Sequence, residues 1–403
     1  MSDEPSETTI FSLPPELILI VFSNIPPREL INKVSLVCRS FNIIIKDKAP
    51  WNSRIRSEAN VRLPDCELKN ARYDPIKTFT AIYDHKERWE NWDNQKTETV
   101  LGHSATVDSV LLFNKDSQQY CLSGSRDRSI KLWNVDNIGK GADTPDNKWN
   151  ISTNENTHTG WIWNMAKNEN DDFYTTSWDS TVKSWQMTNT SLRNLNSVNV
   201  GSAAQCVSCG LSENEVVCTT FAKRVAVIDS RSFSIVAEHS LHKRAVIGLV
   251  VQGNSIITSG EDRILMTVDR RQMNKPVEFF YSPRAYNSYL SLLNNQLLTS
   301  TSDGRVELRD SRNLNMISSY TVGSFTRQAL IDNGAHMVMA RERSFKFSIY
   351  TPGTRNKLIC ISNDLAAEPA KFAYMPSTKT LAIGNGDSSI LFCMPKTTVS
   401  EDS

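Results

Sequence analysis

A histidine, a serine and an aspartate lie close together at His103, Ser123 and Asp127, and the set returns in degenerate form around His158 with Asp179 and His242 with Asp262. Such residues can make a hydrolase triad, in which an imidazole activates a hydroxyl and a carboxylate orients the imidazole. Two features point away from that chemistry. The set changes from copy to copy, and Ser123 falls inside a run that reads as β-strand, without the sharp strand-to-helix turn that exposes a nucleophile. Cys206 and Cys209 form a C-x-x-C, but no second pair or histidine pair stands near at metal-ligand spacing. They read as two small strand residues. No catalytic residue, metal or cofactor is expected, and the chain reads as a non-enzyme.

The elements that hold these residues come from a repeat. "SGSRDRSIKLWN" (123–134) returns as "TTSWDSTVKSWQ" (175–186), "TSGEDRILMTVD" (258–269) and "TSTSDGRVELRD" (299–310). Its aspartate falls at Asp127, Asp179, Asp262, Asp303 and Asp387, with Ala222 and Glu342 in its place in two weaker copies, so successive spacings are 52, 43, 40, 41, 39 and 45 residues. Upstream, a histidine followed after three residues by an aliphatic one opens "HSATV", "HTGWI" and "HKRAV" at 103, 158 and 242.

This pattern resembles the WD-repeat family, whose unit of some forty residues is a four-stranded propeller blade. Seven copies over about 98–394 imply a mainly β, seven-bladed propeller. By that resemblance Asp127 sits in the turn between the second and third strands and accepts from His103, while Ser123 links His103 to the Trp133 indole, so that buried polar groups satisfy one another. Copies with Ala222, Arg309, Glu342 or Ser348 at key places depart from the pattern. The last copy stops after its third strand, and "TETVL" (97–101) is placed to supply the missing outer strand and close the ring.

Charge and composition limit the partners. Lys and Arg number 45 against 44 Asp and Glu, a net charge of +1 that provides no global field for nucleic acid or an anionic membrane. No apolar run reaches the 18 residues of a membrane span, and the start "MSDEPSETTI" is polar and acidic, unlike a secretory signal. Eight scattered cysteines suit reduced thiols. A soluble protein of the cytoplasm, the nucleus or both is expected.

One stretch is foreign to the repeat: "LILIVF" (17–22) behind Pro14 and Pro15. Prolines suit a helix's first turn, where the N–H groups have no partner, so a helix is expected over about 13–24 with Ser12 as its cap. A second helix opens at Pro27, with Leu30, Val34 and Val37 at helical spacing, and a third carries Phe41, Ile44 and Ile45. Trp51 closes the unit. Six apolar residues wound on a helix cover every face. Leu36 and Phe41 can shelter one side; the other is left as an exposed patch of the kind that marks a partner site.

"LPPELILIVFSNIPPRELINKVSLVCRSFNIII…W" resembles the F-box, a small all-α domain that binds the adaptor subunit of SCF-type, cullin-based ubiquitin ligases. The resemblance covers 11 to about 55 and implies adaptor contacts at Leu13, Pro14, Leu17, Phe22, Val37, Cys38 and Phe41. Between the two units, "ARYDPIKTFTAIYDHKERWENWDNQK" (71–96) predicts a helix of about 20 residues begun at Asp74–Pro75, its apolar face made by Ile76, Phe79, Tyr83, Trp89 and Trp92, acting as a semi-rigid spacer. The expected organisation is a disordered 1–10, an F-box at 11–55, a helical linker at 56–96, a propeller at 97–394 and a polar tail at 395–403.

Together these resemble the F-box/WD-repeat class of substrate receptors. The resemblance implies that the chain performs no bond chemistry: the hook binds the adaptor and through it the cullin and RING subunits, and the propeller holds a target protein, so that transfer becomes effectively intramolecular. On the face surrounding the channel it implies target contacts at Arg126, Arg128, Trp178, Lys223, Arg263, Arg341 and Arg343, with Trp161, Trp163, Arg244, Tyr286 and Arg327 from the inner strands. Arginine forks and tryptophan anchors suit an acidic or phosphorylated segment with an apolar anchor. A scaffold that binds the adaptor without promoting ubiquitination uses the same hook, and a nucleic-acid-binding propeller would need a basic sector.

Overall fold

The computed structural model describes residues 10, 13–141, 149–188, 191–212, 214–341 and 343–395. Ser12 and Glu342 lie outside the described residues, as do the polar ends 1–9 and 396–403.

Among the described residues the strands form seven four-stranded antiparallel sheets. Six are continuous in the chain, at 109–154, 162–199, 204–240, 246–281, 287–321 and 325–361, and are numbered here as blades 1 to 6. Blade 7 takes three strands from 369–394 and its fourth from Lys96–Leu101, which pairs with Ser389–Met394 from Lys96 opposite Met394 to Leu101 opposite Ser389. The chain ends thus close the ring as the position of "TETVL" implied, and first and last blades share no open edge.

Each blade buries both faces of its middle strands against its neighbours, so those strands read as apolar runs: Val216–Cys218 and Val225–Ile228 in blade 3 are all buried. At the channel end the inner strands of blades 2 to 7 carry a one-residue bulge, whereas that of blade 1 pairs without a shift. Trp163 is the extra residue in blade 2 and Arg327 in blade 6. A bulge turns the strand and aims the unpaired side chain elsewhere, here off the ladder.

The N-terminal helices are α1 (Pro15–Ser23), α2 (Pro27–Asn32), α3 (Arg39–Lys46), α4 (Lys48–Ser57), α5 (Asp65–Leu68) and α6 (Pro75–Arg88). Several boundaries differ from expectation for local reasons. Helix α1 begins at Pro15 with Pro14 at its cap, and α2 stops at Asn32, so Val34 lies in a 3-10 turn, Val34–Leu36, and Val37 follows it. Cys38 caps α3, its Sγ accepting from the Phe41 amide. Asp74 caps α6 by accepting from the Ile76 amide, but α6 has 14 residues and ends before the tryptophans.

Trp89 and Trp92 therefore do not extend the face of α6. Trp89 is wholly buried among Phe347, Met339 and Phe372 in the core shared by blades 6 and 7, stacked on Trp92 at 5.9 Å. The linker is a clamp: it lies against the ring. Glu67 of α5 accepts from Asn294 and Gln296 of blade 5 at 3.1 Å each, and His85 of α6 meets Asp332 of blade 6 at 2.7 Å. Gly334 of blade 6 sits under α6 so closely that a Cβ would stand 2.4 Å from the Ala81 carbonyl carbon.

Candidate functional site

The repeated histidines sit where the WD resemblance placed them. In blade 1, His103 Nδ1 is 2.9 Å from Asp127, His103 Nε2 is 2.7 Å from Ser123 Oγ, and the Trp133 indole donates to the same oxygen at 2.8 Å. Blade 2 repeats this with His158, Asp179, Thr175 and Trp185. Blade 4 keeps His242, Asp262 and Thr258 but has Val268 in the indole's place. Burial alone would raise the Asp127 carboxyl; hydrogen bonds from His103, Ser129 and the Ser104 amide outweigh it and hold the group well below the usual carboxylate range. Burial also pushes His158 and His242 down, against the pull of their aspartates. Each hydroxyl is committed to a buried chain of partners, which is how a structural staple differs from a nucleophile.

Blade 5 solves the same problem differently. Arg309, at the tryptophan position, is buried, stacked 3.8 Å from the Phe280 ring centroid, and paired with buried Glu307 at 2.7 Å. It also donates to the Leu314 carbonyl. A buried cation is tolerable when its carboxylate and carbonyl partners are supplied together.

Two surfaces remain with unmet needs. The first is the hook. Ile18 and Phe22 of α1 turn inward, where Phe22 meets Phe41 edge-on at 5.1 Å within a core that includes Leu30, Ile45, Trp51 and Ile55. Trp51 donates to the Ile45 carbonyl and so closes the unit. Outward lie Leu17, Ile20 and Val21, and beyond them Leu36, Val37 and Ile43; Leu36 is 79% exposed and Ile20 61%. Of the seven expected contacts, Leu17, Pro14 and Val37 are on the surface, while Leu13 and Cys38 are half-buried. Phe22 and Phe41 are 4% and 5% exposed, so they shape the hook from within and offer a partner nothing. Leu36 is exposed and stands outside the core that receives α1. Ile20, Val21, Leu36 and Ile43 were missed; the i, i+3, i+4 relation of Leu17, Ile20 and Val21 was the available signal.

The second surface is the mouth of the channel. Trp161 and Trp163 meet Trp178 edge-on at 5.7 and 6.0 Å, and Trp178 meets Phe221 of blade 3 at 5.7 Å. Trp161, Trp178 and Phe221 are exposed. Phe221 precedes Ala222 as Trp178 precedes Asp179, and the loss of the aspartate in that copy hid it. The arginines divide into two groups. Arg126 forms a two-point pair with Asp108 at 2.7 and 3.2 Å and lies over the Trp161 ring. Arg263 donates to the Pro283 carbonyl, and Arg327 to the Ala370 carbonyl with Glu368 at 3.7 Å. Arg128, Lys223, Arg244, Arg341 and Arg343 are exposed, and Tyr286 is half-buried. Arg128, after Asp127, and Lys223, after Ala222, hold the same left-handed position of the repeat turn, at φ +70° each. Deeper in, Lys371 lies 4.3 Å from the Tyr289 ring centroid, and burial pulls its pKa down.

This geometry, a helical hook with an exposed apolar outer face fixed to a closed propeller, is that of a small all-α domain joined to a WD-repeat ring. Comparison with known proteins agrees. The F-box-like family matches residues 10–57, and the WD domain, G-beta repeat family matches 94–134 and 150–186, covering blades 1 and 2 where the staple is complete. The chain is 60% identical over 392 residues to the F-box/WD repeat-containing protein mec-15 of Caenorhabditis elegans, covering 96% of this chain and 97% of that one. It is 34% identical over 274 residues to human F-box/WD repeat-containing protein 9, covering 66% of this chain and 57% of that protein. The ring superposes on the WD40 propeller domain of Doa1 with a TM-score of 0.61 at 18% identity, over 75% of this chain and 97% of that one, a likeness of fold. The chain belongs to the F-box/WD-repeat family.

Proposed function

We propose that the chain is the substrate-recognition subunit of an SCF-type ubiquitin ligase, working in the cytoplasm, the nucleus or both, and that it acts by proximity without bond chemistry of its own. The single observation that carries this reading is the outer face of the hook. Leu17, Ile20, Val21, Leu36, Val37 and Ile43 are exposed on a subdomain too small to cover them, and burying a fully exposed side chain of this kind is worth about 1.5–3 kcal/mol, proportionately less for the half-covered Leu17 and Val21. The adaptor takes that face; the cullin and RING subunits follow. The target takes the channel mouth, with Trp161, Trp178 and Phe221 as anchors and Arg128, Arg244, Arg341 and Arg343 as exposed charges around it.

The clamp gives the proposal its mechanical sense. Arg28 of α2 pairs with Asp84 of α6 through two donors, and α6 is held to blade 6, so hook and target face keep a fixed separation. A fixed separation raises the effective concentration of the target at the ligase. The test is affinity purification of the whole chain and of the variant carrying Leu17→Asp and Val37→Asp. Adaptor and cullin copurifying with the first and absent from the second, with other partners retained, supports the reading. Adaptor without cullin on the parent chain makes it a scaffold, and no adaptor at all overturns it.

A further inference from the structure

Where the clamp crosses from hook to ring, a cavity of about 500 Å³ opens between α4, the segment before α5 and the turn after the third strand of blade 6. Three arginines line it from three different parts of the chain: Arg56 of α4, Arg62 of the linker and Arg355 of blade 6. Among the described residues none of these guanidinium groups makes a hydrogen bond or ion pair. The carboxylate in the lining, Asp65, is exposed and lies 3.8 Å from Lys69, and Glu67 is turned away into blade 5.

The positions of the arginines are fixed by backbone. The Thr354 amide and hydroxyl both donate to the Arg62 carbonyl, at 2.8 and 3.2 Å, so Arg62 and Arg355 are held on facing sides of the seam. Gly353 makes that approach possible: its φ is +94°, and a Cβ there would stand 2.5 Å from the Arg62 oxygen. Tyr73 and Asn52 also line the cavity, and the Tyr73 hydroxyl donates to Asn52 Oδ1 at 2.7 Å, which leaves the Asn52 amide N–H groups uncommitted by that bond.

All three side chains are exposed, and an anion seated among them gives each guanidinium the partner that the protein does not supply. Guanidinium forks match the tetrahedral oxygens of phosphate, two donors at a time. We infer that this cavity is a binding site for a small phosphate-bearing anion of two or more negative charges, which ties the hook to blade 6 across the seam. The site is independent of the adaptor face and of the channel mouth, and the inference does not rest on the ligase reading.

The experiment uses the full chain and follows the thermal midpoint in orthophosphate, pyrophosphate and chloride at equal ionic strength. A bound anion shifts the midpoint upward by mass action, about 2 °C or more at saturation. The expected result is a rise with pyrophosphate beyond that in chloride, abolished by Arg62→Gln with Arg355→Gln and kept in Arg231→Gln, which removes an exposed arginine of blade 3 as a control. Isothermal titration of pyrophosphate into the same three proteins reports binding directly, free of any change in basal stability. An equal rise in all three proteins is a general salt effect and overturns the site. So does no rise in the parent chain, or unchanged titration heat in the double variant.

Discussion

The hook and the ring bury apolar residues by different means. In the ring every blade has two neighbours, and side chains such as Leu132, Val227, Leu297 and Phe347 are wholly enclosed because the next sheet supplies the missing wall. In the hook, α1 has one inner side, against Phe41 and Leu30, and no second layer beyond Leu17, Ile20 and Val21. Residues of the same type, Leu132 and Leu17 or Val227 and Val21, thus serve stability in one region and remain available to a partner in the other. A second contrast lies inside the ring, between blades 1 and 2 with their complete polar staple and blades 5 and 6 that hold together without it.

The largest effect expected from these contrasts is at the joint. Trp89→Ala empties a fully enclosed site shared by blades 6 and 7 and lowers the ring's unfolding free energy by about 3–5 kcal/mol, read from denaturant unfolding. A loss below about 1 kcal/mol would mean that the clamp merely rests on the ring. Next comes the staple. Asp127→Ala strands His103, Ser129 and the Ser104 amide and costs about 1–3 kcal/mol. Asp303→Ala in blade 5 removes contacts only to Thr301 and Arg305, is partly exposed, and costs less than about 1 kcal/mol. Equal costs would erase the distinction between the two kinds of blade.

A pH series sharpens the same distinction. His336 of blade 6 is wholly buried without a carboxylate partner, and burial pushes its pKa down to about 3 from an ordinary 6.5. The unfolded chain takes up a proton below about 6.5 that the folded chain refuses. Stability is complete above that pH and falls with acid by up to about 1.4 kcal/mol per pH unit until the folded value is reached. His336→Asn flattens the slope between pH 6.5 and 4; an unchanged slope assigns the acid sensitivity to His158 and His242. The smallest effect is on the hook's outer face, where Ile20→Asp shifts unfolding by no more than about 0.5 kcal/mol, since the side chain already meets water.

Much of the fold was legible because it repeats. Seven copies about forty residues apart, five of them keeping the aspartate, located seven blades, and "TETVL" ahead of the first copy was placed to be the strand that closes them. The hook was legible from six apolar residues in a row, but which of them face inward was not. Phe22 and Phe41 are larger than Leu17 and Val37 and fill the core, a choice made by packing among short helices and invisible to a one-dimensional pattern. The clamp was missed for a related reason: the contacts of Glu67, His85 and Gly334 lie more than two hundred residues away in sequence. Arg126 shows the limit at the channel mouth. Its charge was visible, whereas its pairing with Asp108, eighteen residues earlier, depends on how blade 1 turns.

The central claim is that the hook is half of an interface, and hydrogen–deuterium exchange on the full chain with and without the purified adaptor tests it most directly. The account predicts added protection in α1, in the turn at 34–37 and in α3, with the propeller strands unchanged, and loss of that protection in Ile20→Asp. Exchange at those segments that stays the same at saturating adaptor would contradict it.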